Sequence, residues 1–167
     1  PYAVTKYVNE VNAGVFSNLY GLELIGLRYF NVFGRKQDPD GAYAAAIPKF
    51  IKAFINHQSP ILHGDGSQSR DFTYIDNVIQ ANELAATTKN TDALNQVYNV
   101  ACGTQSLLIE LIENLKSLLS YFDPEIKNIP VINGPERIGD VKHSLASVDK
   151  AKKLLGYNPT HSLKEGL

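Results

Sequence analysis

An α/β fold with a mainly parallel sheet is the fold class that the sequence predicts. Compact apolar runs typical of buried strands alternate along the chain with segments whose apolar residues recur at helical spacing. The 167 residues contain no repeat, low-complexity tract or linker that interrupts this alternation. Strands that alternate with helices are typical of parallel sheets with crossover helices.

Helices are predicted where apolar residues recur every three or four positions between polar ends. Asp76, Ser106 and Ser147 are predicted N-caps, and Gly156 is a predicted C-terminal stop. The predicted ranges are Tyr2–Tyr20, Ala44–Asn56, Asp76 to about Thr88, Ser106 to about Phe122, and Ser147–Gly156. The predicted inner face of the fourth helix consists of Leu108, Leu111, Ile112, Leu115, Leu118 and Leu119.

Strands are predicted where short apolar or β-branched runs lie between turn residues. Glycine and aspartate predict a loop over 31–43 and a turn at Gly64–Ser67, and residues 131–139 are predicted to be mostly irregular. The predicted strands or extended segments are Glu23–Phe30, Ile61–His63, Phe72–Ile75 and Gln96–Ala101.

Composition is that of an ordinary soluble globular chain, with 44% hydrophobic residues, 20% charged residues and a net charge of -1. Near neutrality argues against a nucleic-acid partner, because phosphate-binding surfaces normally show a basic excess. Neither a membrane-spanning run nor a signal peptide is recognisable in the sequence. The single cysteine, Cys102, excludes an internal disulfide and indicates a cytoplasmic protein.

The two ends of the sequence indicate a piece of a longer protein. The chain contains no methionine and opens directly at a predicted helix. Ser162–Glu165 is a capping box, the start signature of a helix, yet the sequence stops two residues later. We therefore expect a truncated chain.

A tyrosine and a lysine four residues apart form a candidate catalytic pair. Tyr2 and Lys6 share one face of the first predicted helix. A neighbouring cation lowers the pKa of a tyrosine, which could then act as a general base toward a sugar or alcohol hydroxyl. Such a pair also arises by chance at this composition, so that the spacing alone leaves both interpretations open.

Several further motifs, in register with this pair, resemble one enzyme family. They are PYAVTK at 1–6, LRYFNVFG at 27–34, RKQDPDGAYAAAIPK at 35–49, GDGSQSRDFTYID at 64–76 and YNVA at 98–101. The chain thereby resembles the extended short-chain dehydrogenases/reductases of the NAD-dependent epimerase/dehydratase family. Within that family it is most similar to bacterial UDP-N-acetylglucosamine 4-epimerases.

The resemblance implies the C-terminal part of a Rossmann-type sheet and a smaller α/β lobe that binds the substrate. Residues 1–34 would end the NAD-binding domain, and residues 35–167 would mainly form the UDP-sugar lobe, with 70–101 returning to the Rossmann sheet. The sequence contains no G-x-G-x-x-G, because Ser69 occupies the third glycine position after Gly64 and Gly66. The glycine-rich loop and the family's catalytic Ser or Thr would precede this chain.

The resemblance also implies roles for individual residues. Tyr2 would accept the proton of the sugar 4-hydroxyl during transient oxidation at C4, and Lys6 would hold the nicotinamide ribose of NAD. Tyr29 and Val32 would border the nicotinamide. A small Ser144, where strict UDP-glucose epimerases carry tyrosine, would leave room for an N-acetyl group. The implied substrate-binding residues are Asn31, Ala45, Ala46, Lys49, His63, Arg70, Arg137, Asp140 and Ser144.

Most of these residues also have a structural interpretation. Asn31 could cap a loop, Arg70 could pair with Asp71 or another acid, and Ser144 could cap a turn. The alanines could simply pack a helix, His63 could be structural, the strand end at 29–32 could simply be buried, and the loop with Arg137 and Asp140 could be a solvated charged segment.

The function that we expect is a UDP-N-acetylglucosamine/UDP-N-acetylgalactosamine 4-epimerase of surface-polysaccharide synthesis, inactive as this fragment and homodimeric at full length. A uronic-acid substrate stays open. Alternatives are a sugar-nucleotide dehydratase or decarboxylase on the same scaffold, or a non-catalytic sugar-nucleotide-binding protein. The histidines show no metal-ligand spacing, so that no metal is assigned, and no membrane partner is expected.

Overall fold

The computed structural model describes residues 2–41, 45–137 and 139–167. The helices are α1 (Tyr2–Tyr20), α2 (Ala46–Ile55), α3 (Ile75–Thr87), α4 (Leu108–Leu119), α5 (Asp149–Leu155) and α6 (Leu163–Gly166), with 3-10 turns at Thr91–Ala93 and Pro124–Asn128. The strands are β1 (Ile25–Tyr29), β2 (Val32–Phe33), β3 (Ile61–His63), β4 (Ser69–Arg70), β5 (Thr73–Tyr74), β6 (Gln96–Val100), β7 (Ser106–Leu107) and β8 (Ile132–Gly134). Pro1 of the first motif, Ala44 at the predicted start of the second helix and Ile138 lie outside the described residues.

Parallel pairing dominates the strands, which confirms the predicted α/β class. Strand β1 pairs with β6 from Ile25↔Gln96 to Tyr29↔Val100, and the pairs β2–β5 and β3–β8 are also parallel. Strand β4 pairs antiparallel with β7. The parallel pair β1–β6 brings the carboxyl ends of its two strands to one edge, and the pair β2–β5 does the same for its own strands; α/β folds bind ligands at such edges.

Two predicted caps are wrong, because short strands run directly into the helices that follow. Tyr74, the last residue of β5, is the N-cap of α3, and Asp76 lies in the first turn, where its charge favours the helix dipole. Ser106 lies in β7, and Leu107 is the N-cap of α4. Pairing with β4 extends the backbone at Ser106, so that the helix starts later than predicted.

Other boundaries differ where tertiary contacts decide them. Leu118 is 42% exposed and does not belong to the inner face of α4. The segment predicted to be irregular contains β8, because it pairs with β3, and the loop after β1 contains β2. Ser147 precedes the N-cap Val148, although its hydroxyl accepts a hydrogen bond from the Asp149 N–H at 3.4 Å.

Buried apolar side chains form two clusters. One lies between α2 and α4 and includes Phe33, Phe54, Leu62, Leu111 and Ile112. The other joins β6 to α3 and α5, and its members include Val78, Tyr98, Val100, Ala151 and Tyr157. The predicted division into residues 1–34 and 35–167 stays a prediction.

A buried amide joins α3 to the C-terminal segment. The side chain of Asn77 is fully buried. Its Oδ1 accepts from the backbone N–H groups of Thr160 and His161 at 2.9 and 3.1 Å, and its Nδ2 donates to the His161 carbonyl at 2.7 Å. Because each polar atom has a partner, these hydrogen bonds offset the cost of removing the amide from water.

Helix α1 carries the predicted apolar stripe, yet the stripe is exposed. Val8, Val11 and Val15 are 46–47% exposed, and Val4 and Leu19 are 63% and 70% exposed. No described helix combines the length and the apolar character needed to span a bilayer.

Replacement of Gly156 by alanine is expected to lower the free energy of unfolding by about 1–2 kcal/mol. Gly156 is the C-cap of α5 at φ 70°, as predicted, and a Cβ there is strained although it meets no atom within 4 Å. Urea unfolding tests this, with exposed Lys153→Ala in the same helix as a control that changes stability by less than about 0.5 kcal/mol. Gly156→Asn should retain most of the stability, and equal stability of the alanine variant and wild type would contradict the prediction.

Candidate functional site

Tyr2 and Lys6 lie together on the first two turns of α1. The Lys6 Nζ is 5.3 Å from the centre of the Tyr2 ring, and the Tyr2 side chain is 69% exposed. The pairing expected from four-residue spacing is thus present. A phenol hydroxyl and an ammonium side by side can contact sugar hydroxyls and transfer a proton.

A cavity of about 980 Å³ lies between α1 and the strands β1 and β6. Tyr2, Lys6 and Tyr29 line it together with Gly26 and Val97. Gly26 brings the backbone close, since a Cβ there would lie 3.1 Å from Val97 Cγ2. The structure therefore gathers both catalytic candidates and one cofactor candidate at one cavity.

The residues at the end of β1 and directly after it are held by hydrogen bonds and packing. The Tyr29 hydroxyl donates to Asn82 Oδ1 at 3.0 Å. Asn31 adopts φ 32°, and its Nδ2 donates to the Asp71 carbonyl at 3.3 Å. Val32 packs its side chain on the second buried cluster, and its carbonyl accepts from Gln37. These contacts agree with the structural interpretation of Asn31 and leave its predicted substrate contact as a prediction.

A fully buried carboxylate supports the segment that carries Arg70. Asp71 Oδ1 accepts from the Cys102 N–H at 3.0 Å, and Oδ2 accepts from the N–H groups of Gly103 and Ala146 at 2.9 and 3.4 Å. Burial raises the pKa of Asp71, and these N–H donors oppose that rise. Asp71 thus joins β4 to the loop after β6 and to the residues before α5.

Arg70 forms an ion pair with an acid of its own predicted site. Its Nη2 donates to Asp140 Oδ1 at 2.6 Å, while its Nη1 donates to the carbonyls of Ser69 and Lys142 at 2.8 and 3.4 Å. The Arg70 side chain is 14% exposed and that of Asp140 is 38% exposed. The alternative interpretation of Arg70 as an ion-paired residue therefore applies, with Asp140 rather than Asp71 as its partner.

The segment with Arg137, Asp140 and Ser144 runs beside β4. The Asp140 N–H donates to the Arg137 carbonyl at 3.1 Å, which forms a turn. The Ser144 N–H donates to the Ser69 carbonyl at 3.1 Å, and Ser144 is half-buried. Four predicted substrate residues, Arg70, Arg137, Asp140 and Ser144, are thereby brought together.

The remaining predicted residues lie elsewhere. Ala45 is the N-cap of α2, Ala46 packs on the first buried cluster, and Lys49 is exposed. His63 Nδ1 lies 3.1 Å from the Pro135 carbonyl, so that its ring joins β3 to the residues after β8. Among the described residues, no hydrogen bond or ion pair joins the start of α2 to Arg70.

Some contacts were not predicted from the sequence. A Glu10–Arg28 pair links α1 to β1, and the signal for it is a charged residue inside the apolar run LRYF. His57 lies near Asp123 and Glu125, with one potential ligand atom of each within 4.8 Å of the others. Histidine spacing could not show this proximity, because the acids follow on a distant turn. The three side chains form a surface cluster, with His57 Nε2 3.0 Å from Asp123 Oδ2.

Solved structures of sugar-nucleotide epimerases match nearly the whole chain. A UDP-N-acetylglucosamine 4-epimerase from Methanobrevibacter ruminantium M1, in complex with UDP-N-acetylmuramic acid, is 39% identical with a TM-score of 0.87 over 99% of this chain and 52% of its own. A UDP-glucose 4-epimerase from Thermotoga maritima, with UDP-glucose, is 34% identical with a TM-score of 0.87 over 99% and 50%. A UDP-glucuronic acid 4-epimerase from Bacillus cereus, with UDP-glucuronic acid and NAD, is 31% identical with a TM-score of 0.84 over 99% and 49%.

A family model described as NAD dependent epimerase/dehydratase matches residues 1–101. The chain spans about half the length of the curated relatives it matches. The structural matches confirm the Rossmann-type α/β fold. Since the family model covers more than half of the 167 residues, the chain belongs to the NAD-dependent epimerase/dehydratase family.

Proposed function

We propose that this chain is the C-terminal half of an NAD-dependent UDP-N-acetylhexosamine 4-epimerase. The observation that carries the proposal is the Tyr2–Lys6 pair beside one cavity over β1 and β6. Epimerase relatives that act on UDP-linked sugars support the substrate class. The full-length protein is this chain together with the cofactor-binding half that we propose precedes it.

The residues at the cavity fit the nicotinamide-ribose end of NAD. Tyr2 and Lys6 offer a hydroxyl and an ammonium to ribose hydroxyls, and Gly26 leaves the sheet face open where a Cβ would contact Val97. Bound NAD supplies the redox chemistry at the sugar C4, and the protein orients the reacting groups. Lys6 is the residue that would hold the ribose.

Tyr2 carries the proton transfer in this proposal. In its phenolate form Tyr2 would accept the proton of the sugar 4-hydroxyl during oxidation, and as the phenol it would return that proton to the same oxygen after the 4-keto sugar has turned its other face. The exposed phenol, close to the Lys6 ammonium, can reach a substrate in the cavity. Because the proton leaves and returns at the same oxygen, a single acid/base residue serves both half-reactions.

The neighbouring residues Arg70, Arg137 and Asp140 would bind the UDP part of the substrate, with Arg70 on the diphosphate. Arg70 donates three hydrogen bonds to the described protein atoms, and a guanidinium has further N–H donors for phosphate oxygens. Arg137 would add a second positive charge, and Asp140 would contact the ribose. Asp140 would then have two roles, because its Oδ1 also lies 2.6 Å from Arg70 Nη2 and orients the guanidinium.

We further propose an oligomeric state and a cellular role for the full-length protein. The exposed apolar stripe of α1 supports a homodimer in which this helix is covered, with Val4 and Leu19 buried. A fragment without the cofactor-binding half would be inactive. Relatives with UDP-sugar substrates support cytoplasmic sugar-nucleotide synthesis for surface polysaccharides.

Assay of the full-length protein with NAD and a panel of UDP-sugars tests the function. We expect interconversion of UDP-N-acetylglucosamine and UDP-N-acetylgalactosamine to show the highest kcat/KM, with UDP-glucose and UDP-glucuronic acid as comparisons. Release of water or CO2 without epimerisation would contradict the proposal and favour a dehydratase or decarboxylase. Lack of any turnover would favour a sugar-nucleotide-binding protein.

Ser144→Tyr in the full-length protein is expected to raise the KM for UDP-N-acetylglucosamine by about tenfold or more, because the larger side chain fills the space for the N-acetyl group. The KM for UDP-glucose should change by less than about threefold. Ser144→Ala is the matched control, since it keeps the space. Equal effects of Ser144→Tyr on both sugars would contradict a specificity role.

A further inference from the structure

Arg28 and Glu10 form a two-point ion pair between β1 and α1. Arg28 Nε donates to Glu10 Oε1 and Nη2 donates to Oε2, both at 2.6 Å. The side chains are 52% and 22% exposed. Two parallel hydrogen bonds fix the orientation of both planar groups, unlike a single-point surface pair. Hydrogen bonding to Arg28 holds the pKa of Glu10 below its ordinary value.

The pair is placed to set the orientation of the Tyr2–Lys6 face. Tyr2, Lys6 and Glu10 are four residues apart in succession, so that they lie within an arc of about 80° on α1. Within the described ranges 2–41, 45–137 and 139–167, the side-chain hydrogen bonds from α1 to another element are the two from Arg28. Arg28 itself projects from β1 into the cavity that Tyr2 and Lys6 also line.

Glu10 is also a potential competitor for Lys6. A lysine and a glutamate four residues apart on a helix attract each other. The Lys6 Nζ instead lies 5.3 Å from the Tyr2 ring, while the Glu10 carboxylate is occupied on both oxygens by Arg28. Arg28 thus neutralises a charge that could otherwise draw Lys6 away from Tyr2.

We propose that Arg28 and Glu10 are positioning residues: together they orient α1 over the sheet, and Arg28 keeps Glu10 from pairing with Lys6. This inference rests on the proposed roles of Tyr2 and Lys6. It makes an asymmetric prediction, because loss of Arg28 releases Glu10 toward Lys6, whereas loss of the Glu10 charge leaves Lys6 beside Tyr2.

The test compares Arg28→Met, Glu10→Gln and the double variant in the full-length protein. Arg28→Met should lower kcat about tenfold, because the Tyr2–Lys6 pair is displaced. The KM for the UDP-sugar should stay within about twofold of the wild-type value, because the substrate site is unchanged. The acidic limb of its kcat–pH profile should move to higher pH by about one unit. Glu10→Gln should lower kcat only about threefold without that movement.

Rescue is the decisive result. The double variant should behave like Glu10→Gln, so that removal of the Glu10 charge restores most of the kcat lost in Arg28→Met. Asp40→Asn, which removes the exposed Lys52–Asp40 pair, is the matched ion-pair control and should leave kcat unchanged. A merely structural pair would give equal losses in all three variants and no movement of the pH profile, which would overturn the proposal.

NADH titration gives a second readout that needs no turnover. Arg28→Met should weaken NADH binding about tenfold, and addition of Glu10→Gln should restore it, because Lys6 is the ribose ligand. If the protein lacks epimerase activity but shows this rescue, the proposed reaction fails while the positioning role stands. Unchanged NADH affinity in Arg28→Met would overturn the positioning role itself.

Discussion

Tyr2→Phe in the full-length protein is expected to lower kcat for epimerisation by about 10²- to 10⁴-fold, the usual contribution of a positioned general acid/base. The ring remains beside Lys6, whose Nζ lies 5.3 Å from the ring centre, so that only the hydroxyl proposed to transfer the proton is removed. Initial rates and the Kd for UDP measure the two parts separately. The Kd should change by less than about threefold, because the residues proposed to bind UDP lie outside α1.

Tyr20→Phe is the matched control for that experiment. Tyr20 is on the same helix and is 68% exposed, but it does not line the cavity over β1. Removal of the Tyr20 hydroxyl should leave kcat unchanged. If Tyr2→Phe retained the wild-type kcat, Tyr2 would have no part in the chemistry and the proposed mechanism would fail.

Asp71→Asn is expected to lower the free energy of unfolding by about 2–3 kcal/mol. Both carboxylate oxygens accept backbone N–H groups from Cys102, Gly103 and Ala146. An asparagine NH2 would face one of these donors and leave it without an acceptor in a buried place. Urea unfolding of the full-length protein measures the loss.

Asp65→Asn provides the contrast. Asp65 is exposed and accepts hydrogen bonds from the Ser67 N–H and hydroxyl through Oδ1, which an asparagine oxygen can replace. We expect a change below about 1 kcal/mol. Equal losses of the free energy of unfolding in the two variants would contradict the prediction, because burial and backbone bonding of Asp71 would then add no stability.

Local patterns predicted much of the fold from the sequence. The stripe of α1, the Gly156 stop and the Ser162 capping box depend only on neighbours within one or two turns, and each is present in the structure. The caps at Asp76 and Ser106 failed because β5 and β7 pair with strands far away in sequence. Local propensity does not contain that information.

The candidate site shows the same division. Motifs in register identified the family, and four-residue spacing placed Tyr2 beside Lys6. The partner of Arg70 could not be chosen from the sequence, since Asp140 is 70 residues away and reaches it only through the segment beside β4. The Arg28–Glu10 pair likewise depends on how α1 lies over β1.

The Asn77 amide makes the order of folding matter. It joins positions 83 and 84 residues apart, so that it can close only after the intervening chain has collapsed. Contacts of such high sequence separation slow folding and form late. Until Thr160 and His161 arrive, α3 contains a polar group that cannot be buried without cost, and the second apolar cluster stays open to water. We therefore expect the C-terminal segment to complete this core, so that a nascent chain would keep the core incomplete until that segment has been translated.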